Sequence, residues 1–223
     1  MDFEIIIEGL KRQLNEPLPG EKAQYRMASY TREDIESRNL KPPGDVRVAA
    51  VLAMLYPKNG DTYISLMERT DRGAHAGQVS FPGGGVEKED KDLTATALRE
   101  ANEEVNIQSE DVKILGKLTP LHIPISNSMV YPIVGYSRVV PDYVPDPAEV
   151  KSIIEAPIAD FFNPDKLKLT DMRVPVGFVL KDIPYFDINE HIVWGATAMM
   201  MNELLEVVKL GIAASGLMED VKI

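Results

Sequence analysis

The segment from residue 47 to residue 69 constrains the fold most. RVAAVLAMLY (47–56) is an unbroken apolar run, TYISLMER (62–69) alternates apolar and polar, and Asn59-Gly60 lies between them. An Asn-Gly pair flanked by such runs is a strong short-range hairpin signal, because both turn positions need positive φ. The first run reads as a buried strand and the second as its partner strand. QVSF (78–81) reads as a short strand, Pro82-Gly83-Gly84-Gly85 as a backbone turn and residues 92–105 as a helix. Further strands are expected at 111–118, 129–139, 149–155, 172–180 and 184–187, and a long amphipathic helix at 195–210. Such a mixture of hairpins, strands and a few helices indicates a mixed α/β domain.

Residues 2–14 have a loose helical period (Phe3, Ile6, Ile7, Leu10, Leu14) that stops before Pro17 and Pro19. Residues 17–45, rich in Pro, Gly and charge, read as an arm with one helical turn near 31–37. Two units follow: 1–45, a helix and extended arm, and 46–223, the main domain. The net charge of −11 over 223 residues disfavours binding to nucleic acid backbones. No apolar run approaches about 20 residues, so no membrane span is expected. The acidic N-terminus lacks a basic leader, and the expected location is cytoplasmic. The absence of cysteine removes thiolate chemistry and Cys-ligated zinc. An acidic chain that acts on a small anion needs a divalent cation or a few local Arg/Lys residues.

The helix at 92–105 carries the chemistry. Thr94, Leu98, Ala101 and Val105 share a face suited to packing on a sheet, while Glu100, Glu103 and Glu104 gather at i, i+3, i+4 on an adjacent face. These acids lie in the second half of the helix, where the helix dipole disfavours negative charge. A hard divalent cation resolves that conflict, and an oxygen-only carboxylate set suits Mg²⁺ or Mn²⁺. The Gly83-Gly84-Gly85 run upstream lets the backbone approach a ligand and aim N–H groups at phosphate oxygens.

Gly84, then Asp90, then Arg99-Glu100-Ala101-Asn102-Glu103-Glu104-Val105-Asn106-Ile107 resembles the signature of the Nudix hydrolases. There are three departures from it. Asp90 replaces a Glu, one extra residue precedes Arg99, and Asn106 replaces a Gly; Asn is the next-best residue for a left-handed helix cap. Gly77-Gln78-Val79-Ser80-Phe81-Pro82-Gly83-Gly84, with Arg69-Thr70 and His75 upstream, resembles the coenzyme A diphosphatase branch. Blocks at 118–136, 147–162 and 192–200 are similar to later parts of that branch. Where the branch carries an Arg four residues before Gly77, this chain has Gly73, with Arg72 one position earlier.

The resemblance implies a Nudix-type α/β/α sandwich with a mixed central sheet, and metal-dependent hydrolysis of a pyrophosphate bond. Coenzyme A or its acyl derivatives would give 3′,5′-ADP and 4′-phosphopantetheine. ADP-ribose or a dinucleotide such as NADH is the alternative substrate, and a non-catalytic nucleotide-binding module is a third reading. Carried over residue by residue, Glu100, Glu103 and Glu104 are the candidate ligands of Mg²⁺ or Mn²⁺. Glu103 and Glu149 are the candidate general bases. Arg99 either orients a carboxylate, Asp90 or Glu103, or forms a simple helix salt bridge. Arg69 and Arg72 would meet the substrate's anionic end or remain loop charges. His75 would contact substrate or structure its loop, and the Gly83–Gly84 backbone would lie against the phosphates. Phe81 and Pro82 are expected to pack beneath the Gly turn, and Trp194 to belong to the core. Met199-Met200-Met201 reads as core or dimer surface. The expected partner is a small nucleotide substrate, with a homodimer as one option of assembly.

Overall fold

A computed structural model describes residues 1–28, 45–71, 77–173 and 179–214. The expected hairpin is present as β1 (Arg47–Lys58) and β2 (Asp61–Arg69), with Tyr56 opposite Tyr63 and Lys58 opposite Asp61. Asn59 and Gly60 have φ of 53° and 83°, the left-handed pair that matches strand twist in a tight hairpin.

The two arms stay paired only near the turn, Leu55–Lys58 against Asp61–Ile64, and then splay. The segment 78–86 fills the gap. Its first part, β3 (Val79–Ser80), pairs with β2, and its second, β4 (Gly83–Gly85), pairs with β1 at Ala49–Val51. The Gly run is therefore a short strand rather than the turn expected from the sequence. Gly83 makes that pairing possible: it holds φ 152°, and a Cβ there would lie 2.4 Å from the Ala50 carbonyl oxygen.

The remaining strands of this sheet are β5 (Lys113–Lys117), β6 (Leu121–Ile123), β7 (Ser128–Tyr136) and β8 (Val150–Pro157). Among the described residues the path runs β3-β2-β1-β7-β5, with β4 on β1, β6 on β7 and β8 on β2; only β1 and β7 run parallel. A second, antiparallel sheet contains β9 (Leu167–Arg173), β10 (Val179–Ile188) and β11 (His191–Val193). The strand expected at 172–180 instead spans the end of β9 and the start of β10, and 184–187 lies inside β10. A register shift between Leu180 and Ile183, with Asp182 at φ 52°, breaks the alternation on which the sequence reading depends.

Both faces of β1 are covered. Ala50, Leu52, Met54 and Tyr56 face the helix α3 (Leu93–Val105), whereas Ala53 and Leu55 face α1 (Phe3–Gln13) and α4 (Gly195–Ala213). This burial on two sides explains why the run is apolar throughout, and it gives three layers, helix on mixed sheet on helices. Asp2 caps α1 by accepting from the Ile5 N–H, and Phe3, Ile6, Ile7 and Leu10 are buried. α1 crosses α4 in backbone contact: a Cβ on Gly9 would sit 2.9 Å from the Gly211 carbonyl carbon, and one on Gly211 2.6 Å from that of Gly9. Met199, Met200 and Met201 are buried, so this run is core and not surface.

α2 (Glu21–Gln24) and a following 3₁₀ turn (Tyr25–Met27) lie along α4. Glu203 of α4, fully buried, ties this segment down. Its carboxyl oxygens accept from the Gly20 N–H (3.0 Å), Gln24 Nε2 (2.8 Å), the Thr119 N–H (3.2 Å) and Thr119 Oγ1 (2.6 Å). The helical turn expected at 31–37 lies outside the described residues. Among the described residues no helix is long and apolar enough to cross a membrane.

Candidate active site

The site is built on α3 and the Gly strand beside it. Asp92 opens the helix by accepting from the Ala95 N–H at 2.9 Å. Asn106 closes it in the left-handed conformation (φ 61°), with its N–H bonded to the Asn102 carbonyl, so Asn fills the place of the signature Gly. The buried seam of the helix is Thr96, Ala97, Ala101, Glu104 and Val105, while Thr94 and Leu98, expected on that seam, are only half-buried. Two alanines at i and i+4 bring α3 close to the sheet at the place where Gly84 has no side chain. That proximity turns an acid into the interface.

Glu104 is 3% exposed. One oxygen accepts from the Gly83 N–H (2.8 Å) and the other from Arg69 Nη1 (3.0 Å). Burial pushes its carboxyl up to about 7, against the opposing pull of the Gly83 N–H and Arg69. Glu100 lies directly over Gly84, where a Cβ would meet its carboxylate at 2.5 Å. Burial raises its pKa too, with Arg99 acting in the opposite direction. Glu103 is exposed and, among the described residues, reaches Arg99 at 3.1 Å.

Arg99 is the organiser of the loop between β4 and α3. Its Nε and Nη2 grip Asp90 with two bonds of 3.0 Å, Nη2 also reaches the Gly85 carbonyl at 2.9 Å, and Nη1 reaches Glu100 at 3.0 Å. The Arg99 fork, helped by the Glu87 N–H and Thr96 Oγ1, holds the Asp90 carboxyl well below the usual carboxylate range.

Arg69 faces inward. Its guanidinium bridges Glu104 (3.0 Å) and Glu149 (3.1 Å), so both arms of the fork are engaged by carboxylates. Glu149 belongs to the segment leading into β8. Its carbonyl accepts from the Thr70 N–H and its N–H donates to the Asp146 carbonyl, while the Asp146 N–H bonds to the Glu104 carbonyl at 2.8 Å. Asp146 was not singled out from the sequence. Its Oδ1 accepts from the Ala148 N–H, an Asx-type turn that the Asp146-Pro147 pair signals. Arg72 and His75 lie outside the described residues.

The structure thus gathers Glu100, Glu104, Glu149, Arg69, Gly83 and Gly84 in one place, with Glu103 on the solvent side of the helix. Among the described residues no three carboxylates or histidines close on a single point. The donor set nonetheless fits a hard divalent cation. All donors are oxygens, and Glu100 and Glu104 are held where burial disfavours their negative charge, a cost that a cation offsets.

Comparison with known proteins identifies the family. The NUDIX domain family matches residues 46–177. The uncharacterized Nudix hydrolase NudL of Photorhabdus laumondii is 35% identical over 164 residues, covering 74% of this chain and 86% of its own. Nudix hydrolase 15, mitochondrial, of Arabidopsis thaliana is 31% identical over 161 residues, 68% of this chain and 55% of that one. A C. elegans Ap4A hydrolase structure superposes with a TM-score of 0.44 at 20% identity, covering 52% of this chain and 84% of its own. The chain belongs to the Nudix family. Within it, the protein is a hydrolase of pyrophosphate bonds, and enzymes of this kind generally use divalent metal cations.

Proposed function

We propose that this Nudix hydrolase cleaves the pyrophosphate bridge of coenzyme A or its acyl derivatives, releasing 3′,5′-ADP and 4′-phosphopantetheine. The observation that carries this reading is the segment Gly77–Gly84. It resembles the segment that marks the coenzyme A diphosphatase branch, and its Gly83 N–H bonds the buried Glu104. Glu100, Glu103 and Glu104 would hold Mg²⁺ or Mn²⁺, which when bound supplies charge neutralisation and lowers the pKa of water.

The chain's own part is positioning. The Gly83–Gly84 backbone offers close approach to the phosphates. Arg99 fixes the loop through Asp90 and steadies Glu100 and Glu103. Arg69 holds Glu104 and Glu149 in register. A water attacks one phosphorus, the bond from that phosphorus to the bridging oxygen breaks, and the bridging oxygen leaves with the electron pair. The water's proton passes to a carboxylate, Glu149 or Glu103. Arg69, engaged by two acids, fits a positioning role better than the substrate contact expected from the sequence. Hydrolysis of ADP-ribose or NADH is the second reading, favoured by Gly73 standing where the branch carries an Arg.

The reading includes a cytoplasmic enzyme whose catalytic domain is residues 46–223, preceded by the helix and arm of 1–45. The start of the family match at residue 46 supports the bound between 45 and 46, although α1 packs into the core of the domain that follows. The deciding experiment is a side-by-side turnover assay on coenzyme A, ADP-ribose and NADH with Mg²⁺ or Mn²⁺, with products identified by mass. Release of 4′-phosphopantetheine well ahead of the other reactions supports the proposal; preference for ADP-ribose or NADH replaces it with the second reading.

A further inference from the structure

The face of the central sheet that carries α3 extends beyond the helix. Register across β4, β1 and β7 places Gly84, Ala50 and Tyr131 in one row. The next row holds Val48, Met129 and His122, on β1, β7 and β6, and the Val86 N–H bonds the Val48 carbonyl beside it. Side chains alternate along β1, so Val48 shares the face of Ala50, Leu52, Met54 and Tyr56. Those four are sealed beneath α3, yet Val48 is 39% exposed and Val86 45%. Tyr131, Met129 and His122 are half-buried. His122 is oriented by Asn127, whose Oδ1 is 3.4 Å from its Nε2.

The result is an apolar and aromatic platform whose edge is the Gly84–Glu100 contact. Strands lie about 4.8 Å apart, so Tyr131, two strands away, stands about 10 Å from Gly84. We propose that this platform, with Tyr131 at its centre and His122, Met129, Val48 and Val86 around it, receives the base of the nucleoside end of the substrate, stacked flat on the sheet. The inference rests on the diphosphatase reading above, because the diphosphate must lie at Gly84 for the base to reach the platform. The surface carries two aromatic residues, Tyr131 and His122, among apolar side chains. It therefore suits a planar heterocycle, whereas a flexible pantetheine chain would lose more rotamer freedom there. Glu100 and Glu104 lie at the Gly84 end of the platform, so the anionic groups would sit there with a cation and the neutral base would lie away from it.

The test is calorimetric titration of the full chain, with Ca²⁺ in place of Mg²⁺ or Mn²⁺, using 3′,5′-ADP, ADP-ribose and 4′-phosphopantetheine. Tyr131→Ala is expected to weaken 3′,5′-ADP and ADP-ribose by roughly tenfold, Tyr131→Phe to restore both, and 4′-phosphopantetheine to be unaffected by either. In the wild type, the His122 ring protons, assigned with His122→Gln, are expected to shift on addition of 3′,5′-ADP but not of 4′-phosphopantetheine. That measurement stands even where Tyr131→Ala fails to fold. Equal loss for both halves of coenzyme A, no loss for 3′,5′-ADP, an unmoved His122, or no binding of either adenosine compound would each overturn the proposal. Tyr131-dependent binding of ADP-ribose in an enzyme that does not turn over coenzyme A would sustain the platform while removing the substrate reading.

Discussion

Replacing Glu203 with alanine isolates how the N-terminal segment is held. The side chain is fully buried in α4 and accepts from four donors on three residues, Gly20, Gln24 and Thr119. Alanine leaves the Gly20 and Thr119 backbone N–H groups without these acceptors, while Gln24 Nε2 keeps the Thr119 carbonyl at 2.8 Å and the Thr119 hydroxyl can rotate. Two orphaned N–H groups at about 1–3 kcal/mol each, with some relief from no longer burying an acid, give a loss of about 2–4 kcal/mol. For a chain of this size that corresponds to a fall in Tm of about 4–16 °C. Glu203→Gln keeps one acceptor but turns an NH₂ toward the donors, and should cost about 1–2 kcal/mol. Urea unfolding followed by circular dichroism measures both. Hydrogen exchange should show the Gly20 and Thr119 amides losing protection in the alanine variant before the β1 amides do. A loss below about 1 kcal/mol for alanine, or a glutamine variant no better than alanine, would refute the reasoning.

Glu104→Gln turns an NH₂ toward either the Gly83 N–H or Arg69 and should cost about 1–2 kcal/mol with the far-UV spectrum kept, while turnover falls at least about a hundredfold, read by steady-state kinetics. Gly84→Ala should displace Glu100, since the new Cβ would sit 2.5 Å from its carboxylate; a lowered kcat with a folded far-UV spectrum is expected, and wild-type kcat would contradict the contact. The Asp90 carboxyl is held low by Arg99, so its contribution to stability is present above the unfolded-state value near about 4 and is lost as pH falls below that. Acid unfolding of Asp90→Asn should therefore depend less steeply on pH in that range than the wild type. Chelation with EDTA should abolish turnover, and Mg²⁺ or Mn²⁺ should restore it and raise Tm with concentration.

The elements set by local chemistry were legible in the sequence. Asn59-Gly60 carries its own turn geometry, and Asp92 and Asn106 carry the caps that bound α3. The spacing of Glu100, Glu103 and Glu104 was also readable, but not which of them faces inward. The small volume of Ala97 and Ala101 rotates the buried seam toward Glu104, and that depends on what the sheet presents opposite. The Gly run read as a turn because its strand partner, Ala49–Val51, lies 34 residues upstream in register and leaves no local mark. Arg69 read as a free cation because its partners, Glu104 and Glu149, come from two other segments. Arg72 and His75 lie outside the described residues, and so do any contacts they make.

The crossing of Gly9 and Gly211 has a consequence for the order in which the chain can be completed. α1 leaves the ribosome well before α4, with Phe3, Ile6, Ile7 and Leu10 along one side, but the surface that covers them is supplied largely by α4 at residues 195–213. During synthesis that apolar stripe has to wait until the sheet and α3 have been made. The two glycines then allow α1 and α4 to meet backbone to backbone, so a helix made late closes one made early. A side chain at either glycine would hold that closure open.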